Sequence, residues 1–542
     1  MPASAREILA FASLGQPLSP LFLDYLQGRA TVVPFLGGSP LSLEAVAKAA
    51  EASLAHPRPS SRVAEALVRQ QRARGAEAAA ANARRLAGSG TVAVVTGQQP
   101  GIFGGPLFVL LKALATVEVA RRLEEGGRPA VPVFWIASDD HDFAEVRSTS
   151  VLDATGALRT LRYDPRREPA GEPAWAIGLD DTIGGLVDEL GRALPPALGR
   201  DETLEAVAAC YVPGETISGA FGRFVSRILP GLVVLDPSDP ELKALAVPVL
   251  ARELREGSPT SRLAIEQGQR LLAAGYHQQV PVRPGFLNAF VLAEGQRRAL
   301  AFGDGTIEIR GTRERIDVEE AVRRLESDPS AWSPGALLRP LVQDALLPTA
   351  AYVGGPAEIA YHAQIAPSYA HFGIPRPVIL PRPSATIVEP PHARALDAEG
   401  LALADLVADP EALVTRWARE TYPDVEGAFA STREALERET ARLEELLGLH
   451  DPTLRAAAAS ARGRALHQIE GLHEKALRAL KKRDQGRADR LRRTRDALFP
   501  GGSLQERGIG LVSALARHGL SLAEVLRERI DVFADGHQVV RL

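Results

Sequence analysis

One segment restricts the fold more than any other: "TVAVVTGQQPGIFGGPLFVLLKALATVEVARRLEEGGRPAVPVFWIASDDHD", from Thr91 to Asp142. Val92–Val95 forms a short strand with no polar face. Pro106 then sits where a helix can begin, because its missing N–H is one of those a helix leaves unpaired anyway. Leu107, Leu110, Leu111, Leu114 and Val117 recur at helical spacing, and the pattern ends at "EEGG". Val131–Ala137 is a second wholly apolar strand. A strand that is apolar on both faces must be covered on both faces. Strand, helix, strand with that property is a βαβ unit of a parallel sheet, which makes the chain α/β.

The same grammar returns later. Ala350–Val353 is an apolar strand, Gly354–Gly355 a turn, and Pro356 the start of a helix. Pro377–Leu380 is a last strand running into Pro381, Arg382 and Ser384, and "GLVVLDP" (231–237) is another buried strand. Residues 276–302 alternate and turn like antiparallel strands. From about residue 425 the chain becomes rich in Ala, Leu, Glu, Arg and Lys. Leu436, Leu443 and Leu447 mark one seam. Leu466, Ile469, His473, Ala476 and Leu480 mark another, and "GLHDPT" separates the two. This predicts two long helices folded back as an antiparallel coiled coil. The expected organisation is a parallel-sheet core over 1–400, with connecting segments inserted at about 156–275 and 276–330. A helical coiled-coil domain follows over 401–500, and C-terminal helices over 501–542 pack back on the body.

The 542 residues carry a net charge of -4 with no basic block at either end, which argues against a nucleic-acid binder. No apolar run approaches a membrane span, and the N-terminus lacks the form of a signal peptide. A cytoplasmic protein is expected. The single cysteine, Cys210, excludes a disulfide within the chain and a zinc site of the cysteine type.

In open parallel sheets ligands bind beyond the carboxyl ends of the strands. "TGQQPGIFGGP" and "SDDHD" both fall at that edge. The N–H groups of Gly101, Gly104 and Gly105 suit a phosphate or carboxylate, and Gln98 and Gln99 can donate to sugar or carboxylate oxygens. The alternative is a tight turn that needs glycine. The segment is neither G-x-G-x-x-G nor a Walker loop. Among Asp139, Asp140, His141 and Asp142, crowded carboxylates repel. His141, oriented by Asp139 or Asp142, is the candidate general acid or base, and the acids are alternative Mg²⁺ ligands. Against this stands a solvated loop in which Asp142 caps a helix. In "YVGGPAEIAYHAQ", Glu358 and His362 share one helical face, and Tyr361 and Gln364 another. With Tyr352, Gly354 and Gly355 they line a pocket or are satisfied interior groups. Arg382, Ser384 and Thr386, past the last strand, are placed to close over a phosphate. No metal ligand set is assigned.

Taken together, "VTGQQPGIFGGPLF", "VPVFWIASDDHDFAEV", "LLPTAAYVGGPAEIAYHAQ", "HFGIPRPVILPRPSATIVE" and "GSLQERG" resemble the cysteine-adding enzymes of bacillithiol biosynthesis, BshC. The likeness spans nearly the whole chain, in order. It implies a Rossmann-like core, akin to class I aminoacyl-tRNA synthetases and nucleotidylyltransferases, with insertions and a coiled coil that makes a homodimer. It also implies a ligase that joins L-cysteine to the amine of glucosaminyl-malate, giving the low-molecular-weight thiol bacillithiol. Amide formation from a free carboxylate needs activation, for which ATP with Mg²⁺ is the obvious source, through an acyl-adenylate or acyl-phosphate. The Gly-rich turn has no histidine and "PRPSAT" has no lysine, both of which depart from the synthetase pattern. Two other classes stay open at this point. One is a nucleotide- or metabolite-binding scaffold with a coiled-coil partner surface. The other is a nucleotidylyltransferase acting on a sugar phosphate.

Overall fold

A computed structural model describes residues 7–542. Its central sheet has five parallel strands: β1 (Val92–Gln98), β2 (Ala130–Ile136), β3 (Val233–Leu235), β4 (Thr349–Gly354) and β5 (Val378–Pro381). Their order across the sheet is β5-β4-β1-β2-β3. Alternation along each strand sends side chains to two cores. Ala93, Val95, Val131, Val133 and Trp135 enter one, and Val92, Val94, Ala130, Ala351 and Val353 the other. Each valine among them, fully buried, contributes roughly 1.5–3 kcal/mol, and each alanine about 0.8 kcal/mol or less. This is why the strands read as unbroken apolar runs.

Helix α1 (Phe108–Glu125) follows β1 and buries Ala115, Val119 and Leu123 in the second core. Helix α2 (Pro356–Phe372) follows β4 and buries Ile359, Ala363 and Tyr369 in the first. The chain therefore leaves neighbouring strands β1 and β4 toward opposite sides of the sheet. That reversal opens a crevice between their carboxyl ends, where doubly wound folds bind ligands.

Strand β1 is longer than its apolar run. The ladder to β2 continues through Thr96–Phe134, Gly97–Trp135 and Gln98–Ile136, so part of the Gly-rich motif is strand. Helix α1 starts two residues after Pro106. Pro106 is held in a bridge to Gly510, Leu107 donates its N–H to the Ile509 carbonyl, and Leu511 donates to Gly105. The C-terminal segment thus pins the Gly-rich turn. It forms helices Leu511–His518 and Leu522–Arg529, then strand His537–Arg541, which lies between Glu7–Leu9 and Ser384–Val388.

Residues 156–275 are largely helical but also supply β3. The antiparallel pattern beyond residue 276 becomes a separate five-stranded sheet. Its order is Arg315–Asp317, Thr306–Ile309, Gln296–Gly303, Phe286–Ala293, Trp332–Pro334.

The chain divides into two compact units, 1–387 with 504–540, and 388–503 with 541–542. The second holds the two long helices, α3 (Pro423–His450) and α4 (Pro452–Arg483), joined at Asp451, which caps α4. They run antiparallel: Glu426 meets His473, Arg433 meets Glu470, and Glu444 meets Arg462. A small core of Val414, Trp417, Leu477 and Leu491 closes the base. Within the hairpin Leu436 is half-buried, while Leu443 and Leu447 stay exposed. Among the described residues no helix is long and apolar enough to cross a membrane.

Candidate active site

A cavity of about 530 Å³ opens in the crevice between β1 and β4. That lies within the range of about 300–1,000 Å³ typical of small-molecule sites. Its floor is a continuous chain of polar contacts. Tyr352 Oη donates to Glu358 Oε1 at 2.6 Å. Glu358 Oε2 accepts from Gly355 N–H at 2.7 Å and from Lys112 Nζ at 2.6 Å. Lys112 spends its other two donors on the Gly97 carbonyl (2.6 Å) and Gln98 Oε1 (3.2 Å). Gln98 Nε2 donates to Gln99 Oε1 at 3.2 Å. Gln99 Nε2 ends the chain on two carboxylates, Asp140 at 2.9 Å and Glu145 at 2.6 Å.

The two ends differ in charge. Arg339, Arg382 and Arg507 line the cavity with the start of α2. Arg339 donates to Tyr361 Oη at 2.8 Å and lies over the Tyr352 ring. The guanidiniums of Arg382 and Arg507 lie against the Phe108 ring, and buried Glu506 pairs with Arg382 at 2.7 Å. At the other end stand Asp139, Asp140 and Glu145, with Arg297 the lining cation beside them and Lys243 paired to Asp139.

Burial sets most of the titration. It lowers the Lys112 pKa, opposed by Glu358. It pushes the Glu358 carboxyl up, but Lys112 and the donors on both oxygens outweigh it and hold it below the ordinary range. Glu145 is raised by burial and by the Asp140 and Asp142 charges, against the Gln99 bond.

Of the residues singled out from sequence, Gln98, Gln99, Asp139, Asp140, Tyr352, Gly355, Glu358, Tyr361 and Arg382 line the cavity. Gly101, Gly104, Gly105, Gly354, His141, Asp142, His362, Gln364 and Ser384 are not in its lining. The glycine amides are spent inside the turn. Gly101 donates to Gln99, Gly104 to Gly101 and Tyr211 Oη, and Gly105 to Ile102. A Cβ on Gly101 would stand 2.8 Å from Gly105 Cα, so this turn is glycine-rich because its backbone touches itself.

The acidic run separates by environment. Asp139 is buried against Lys243 (2.6 Å) and Trp175 Nε1 (3.2 Å), away from the His141 ring's contacts. Asp140 receives the N–H groups of His141 and Asp142. Asp142 accepts Glu145 N–H and caps the short helix Phe143–Val146. His141 is exposed. Its Nδ1 lies 3.3 Å from an Arg297 guanidinium N–H, an arrangement in which Nδ1 accepts. The part of its ring shielded from water and the Arg297 charge lower its pKa against Asp140 and Asp142.

Glu358 and His362 share a helical face but not an environment. His362 is fully buried beneath Tyr352 and Tyr361, with no hydrogen-bond partner among the described residues. Gln364 bonds the N–H and carbonyl of Val280. Ser384 and Thr386 hold the two nitrogens of His537 at 2.8 Å.

Sequence reasoning passed over Lys112, Glu145, Arg297, Arg339 and Arg507. Lys112 had a signal, a single lysine in "FVLLKALATVEVA", one turn after Phe108 at the sheet edge. Arg507 lies in the quoted "GSLQERG". Arg297 had none, because it reaches the cavity from the antiparallel sheet.

Two family models match nearly the whole chain. "Bacillithiol biosynthesis BshC, N-terminal Rossmann-like domain" matches 7–383, and "Bacillithiol biosynthesis BshC, C-terminal coiled-coil domain" matches 385–542. A curated relative from Koribacter versatilis, named "Putative cysteine ligase BshC", is 34% identical over 526 residues, covering 96% of this chain and 97% of the relative. A relative of the same name from Salinibacter ruber is 33% identical over 526 residues, 96% of each. Another, from Symbiobacterium thermophilum, is 33% identical over 491 residues, 86% of this chain and 87% of the relative.

Proposed function

The chain belongs to the bacillithiol biosynthesis BshC family, and from that premise we propose that it is a ligase joining L-cysteine to the amine of glucosaminyl-malate. The observation that carries this reading is the polarity of the cavity along its floor. Arg339, Arg382 and Arg507 gather where α2 begins, and Asp140 and Glu145 stand at the far end of the Lys112–Gln98–Gln99 chain. The acceptor has the matching form, malate carboxylates for Arg339 at one end and a sugar ammonium at the other, which leaves Arg382 and Arg507 for a further anion. Guanidiniums bind carboxylates through paired donors, and a helix start favours anions.

Forming an amide from a free carboxylate is uphill in water, so the cysteine carboxyl must be activated. We propose ATP as the donor, which when bound supplies that activation. Arg382 and Arg507 are the residues suited to its phosphates. No cluster of three or more His, Cys, Asp or Glu side chains suited to a metal occurs among the described residues. Mg²⁺ would arrive on the phosphates, needing no more than one or two carboxylates from the chain, as it does in sites without an all-protein cage. The chain's own work is to hold both substrates in one enclosed geometry, which lowers the barrier of a bimolecular step.

The second unit supports self-association. Leu443, Leu446, Leu449 and Leu472 of the hairpin are exposed, and an apolar surface on a coiled coil is a surface for a further helix. We propose a homodimer through it.

The test is direct. Purified protein, glucosaminyl-malate, L-cysteine and Mg²⁺ are combined with and without ATP, and the thiol product is sought by mass spectrometry. Product only with ATP is the expected result, and AMP or ADP identifies which bond of ATP is used. Absence of product from folded protein under every condition overturns the reading.

A further inference from the structure

Acylation of an amine that arrives protonated requires a group to take its proton. The hydrogen-bonding of the cavity narrows the choice. Four carboxylates line it: Asp139, Asp140, Glu145 and Glu358. Asp139 Oδ1 is held by Lys243 and Trp175 in a buried ion pair. Both oxygens of Asp140 are engaged, Oδ1 by the N–H groups of His141 and Asp142 and Oδ2 by Gln99. Glu358 accepts three hydrogen bonds, one of them from an ammonium. Glu145 differs. No cation pairs with it among the described residues: its Oε2 accepts from the neutral Gln99 carboxamide, and no donor reaches its Oε1.

Resting on the ligase reading above, we infer that Glu145 is the general base of the amide-forming step, with Gln99 as the residue that positions it. Glu145 Oε1 accepts one proton from the sugar ammonium. The freed lone pair forms the C–N bond to the activated carboxyl carbon of cysteine. The C–O bond to the leaving group breaks, its electron pair departing with that oxygen. The second proton lost from nitrogen passes to solvent. The Gln99 carboxamide spends both N–H donors on Asp140 and Glu145, so it fixes the two carboxylates side by side and leaves one oxygen facing the acceptor. The groups around Glu145 favour this role. Partial shielding of this otherwise exposed side chain, with Asp140 and Asp142 on its own loop, raises its pKa, which brings a carboxyl nearer the pKa of the amine it serves. From the antiparallel sheet Arg297 acts on Asp139 and Asp140. His141 is a poorer candidate, because it lies outside the lining and its Nδ1 faces Arg297.

The experiment measures kcat against pH for thiol formation by the full chain, with saturating cysteine and ATP. Glu145→Gln keeps the size of the side chain and an acceptor for Gln99. It is expected to lower kcat by about 100-fold or more and to abolish the acid limb of the profile, with KM for cysteine unchanged. Glu145→Asp should retain the limb with a smaller loss. Gln99→Leu removes a bond that lowers the Glu145 pKa and should move the limb to higher pH, a shift that damage to folding alone would not give. A Glu145→Gln protein with the wild-type kcat and the wild-type acid limb overturns the assignment while leaving the ligase reading intact. A folded wild-type protein that makes no product overturns both.

Discussion

Replacing Glu358 by Gln strands a buried lysine. The Lys112 side chain is 1% exposed and that of Glu358 22% exposed, with 2.6 Å between Nζ and Oε2. Removing one partner of a buried pair costs about 3–5 kcal/mol, because the other charge is left uncompensated. Lys112 would keep two acceptors, the Gly97 carbonyl and Gln98 Oε1. It also has an escape, since it can release its proton. From an ordinary value near 10.4 that escape costs about 1.4 kcal/mol per pH unit, or about 4.6 kcal/mol at pH 7, which caps the penalty. We therefore expect Glu358→Gln to lose about 3–4 kcal/mol of unfolding free energy at pH 7. The loss should shrink as pH rises. The Lys112 pKa is already depressed in the folded chain, and the variant depresses it further. Above that value the unfolded chain binds the proton that the folded chain has lost. Stability then climbs with pH until about 10.4, by up to about 1.4 kcal/mol per unit. Lys112→Met should cost less, because Glu358 keeps Gly355 N–H and Tyr352 Oη and is partly exposed. The double variant should cost less than the sum of the two. Urea unfolding followed by tryptophan fluorescence at pH 7, 8 and 9 measures all three. A Glu358→Gln cost below about 1 kcal/mol, the level of a solvent-exposed pair, with no dependence on pH, would refute the buried brace.

His537, buried between Ser384 and Thr386, has its pKa driven down to about 4 by burial, with Arg382 adding and Glu506 opposing. The unfolded chain accepts a proton that the folded one refuses. Stability is thus full above about pH 6.5 and falls by up to about 3.4 kcal/mol as pH drops to about 4. His537→Gln should remove that slope from the pH dependence of urea unfolding. Gly104 has φ +91°, and a Cβ there would meet Leu511 Cδ2 and Phe224 Cε1 at 3.0 Å. Gly104→Ala should cost about 1–3 kcal/mol from backbone strain alone, seen as a lower thermal midpoint. Leu443→Glu combined with Leu446→Glu should convert a dimer to monomer in sedimentation with the helical circular dichroism retained. An unchanged oligomer would move the interface elsewhere.

Much of the core was legible because apolar periodicity is a local property. Val92–Val95 and Val131–Ala137 announced a parallel sheet, and the Gly–Gly–Pro repeat at 354–356 announced a second strand-to-helix passage at the same edge. The hairpin helices were legible from composition and from the break at Asp451–Pro452. Which leucines face inward was not, since Leu443 and Leu447 carry the seam spacing yet stay exposed in the chain alone.

The site was legible only as a neighbourhood. The sequence by itself determined that Gln98, Gln99, Asp140, Tyr352, Glu358 and Arg382 gather at the carboxyl-end edge of the parallel strands, because strand direction and the turn after each strand are local. Only the tertiary structure decided what each one does. Asp139 and Asp140 are neighbours in sequence and both line the cavity, yet one is paired with Lys243 and the other is held by Gln99 and two backbone N–H groups. Glu358 and His362 share a helical face, yet one turns to Lys112 and the other to two tyrosine rings. The Gly-rich turn, the most conspicuous motif, spends its amides on itself. Further charges in the cavity come from Lys112, Glu145, Arg297 and Arg339, whose convergence no short motif announces. Charge acts through space over a few ångströms, and the partner that fixes a side chain's role comes from wherever the fold brings one.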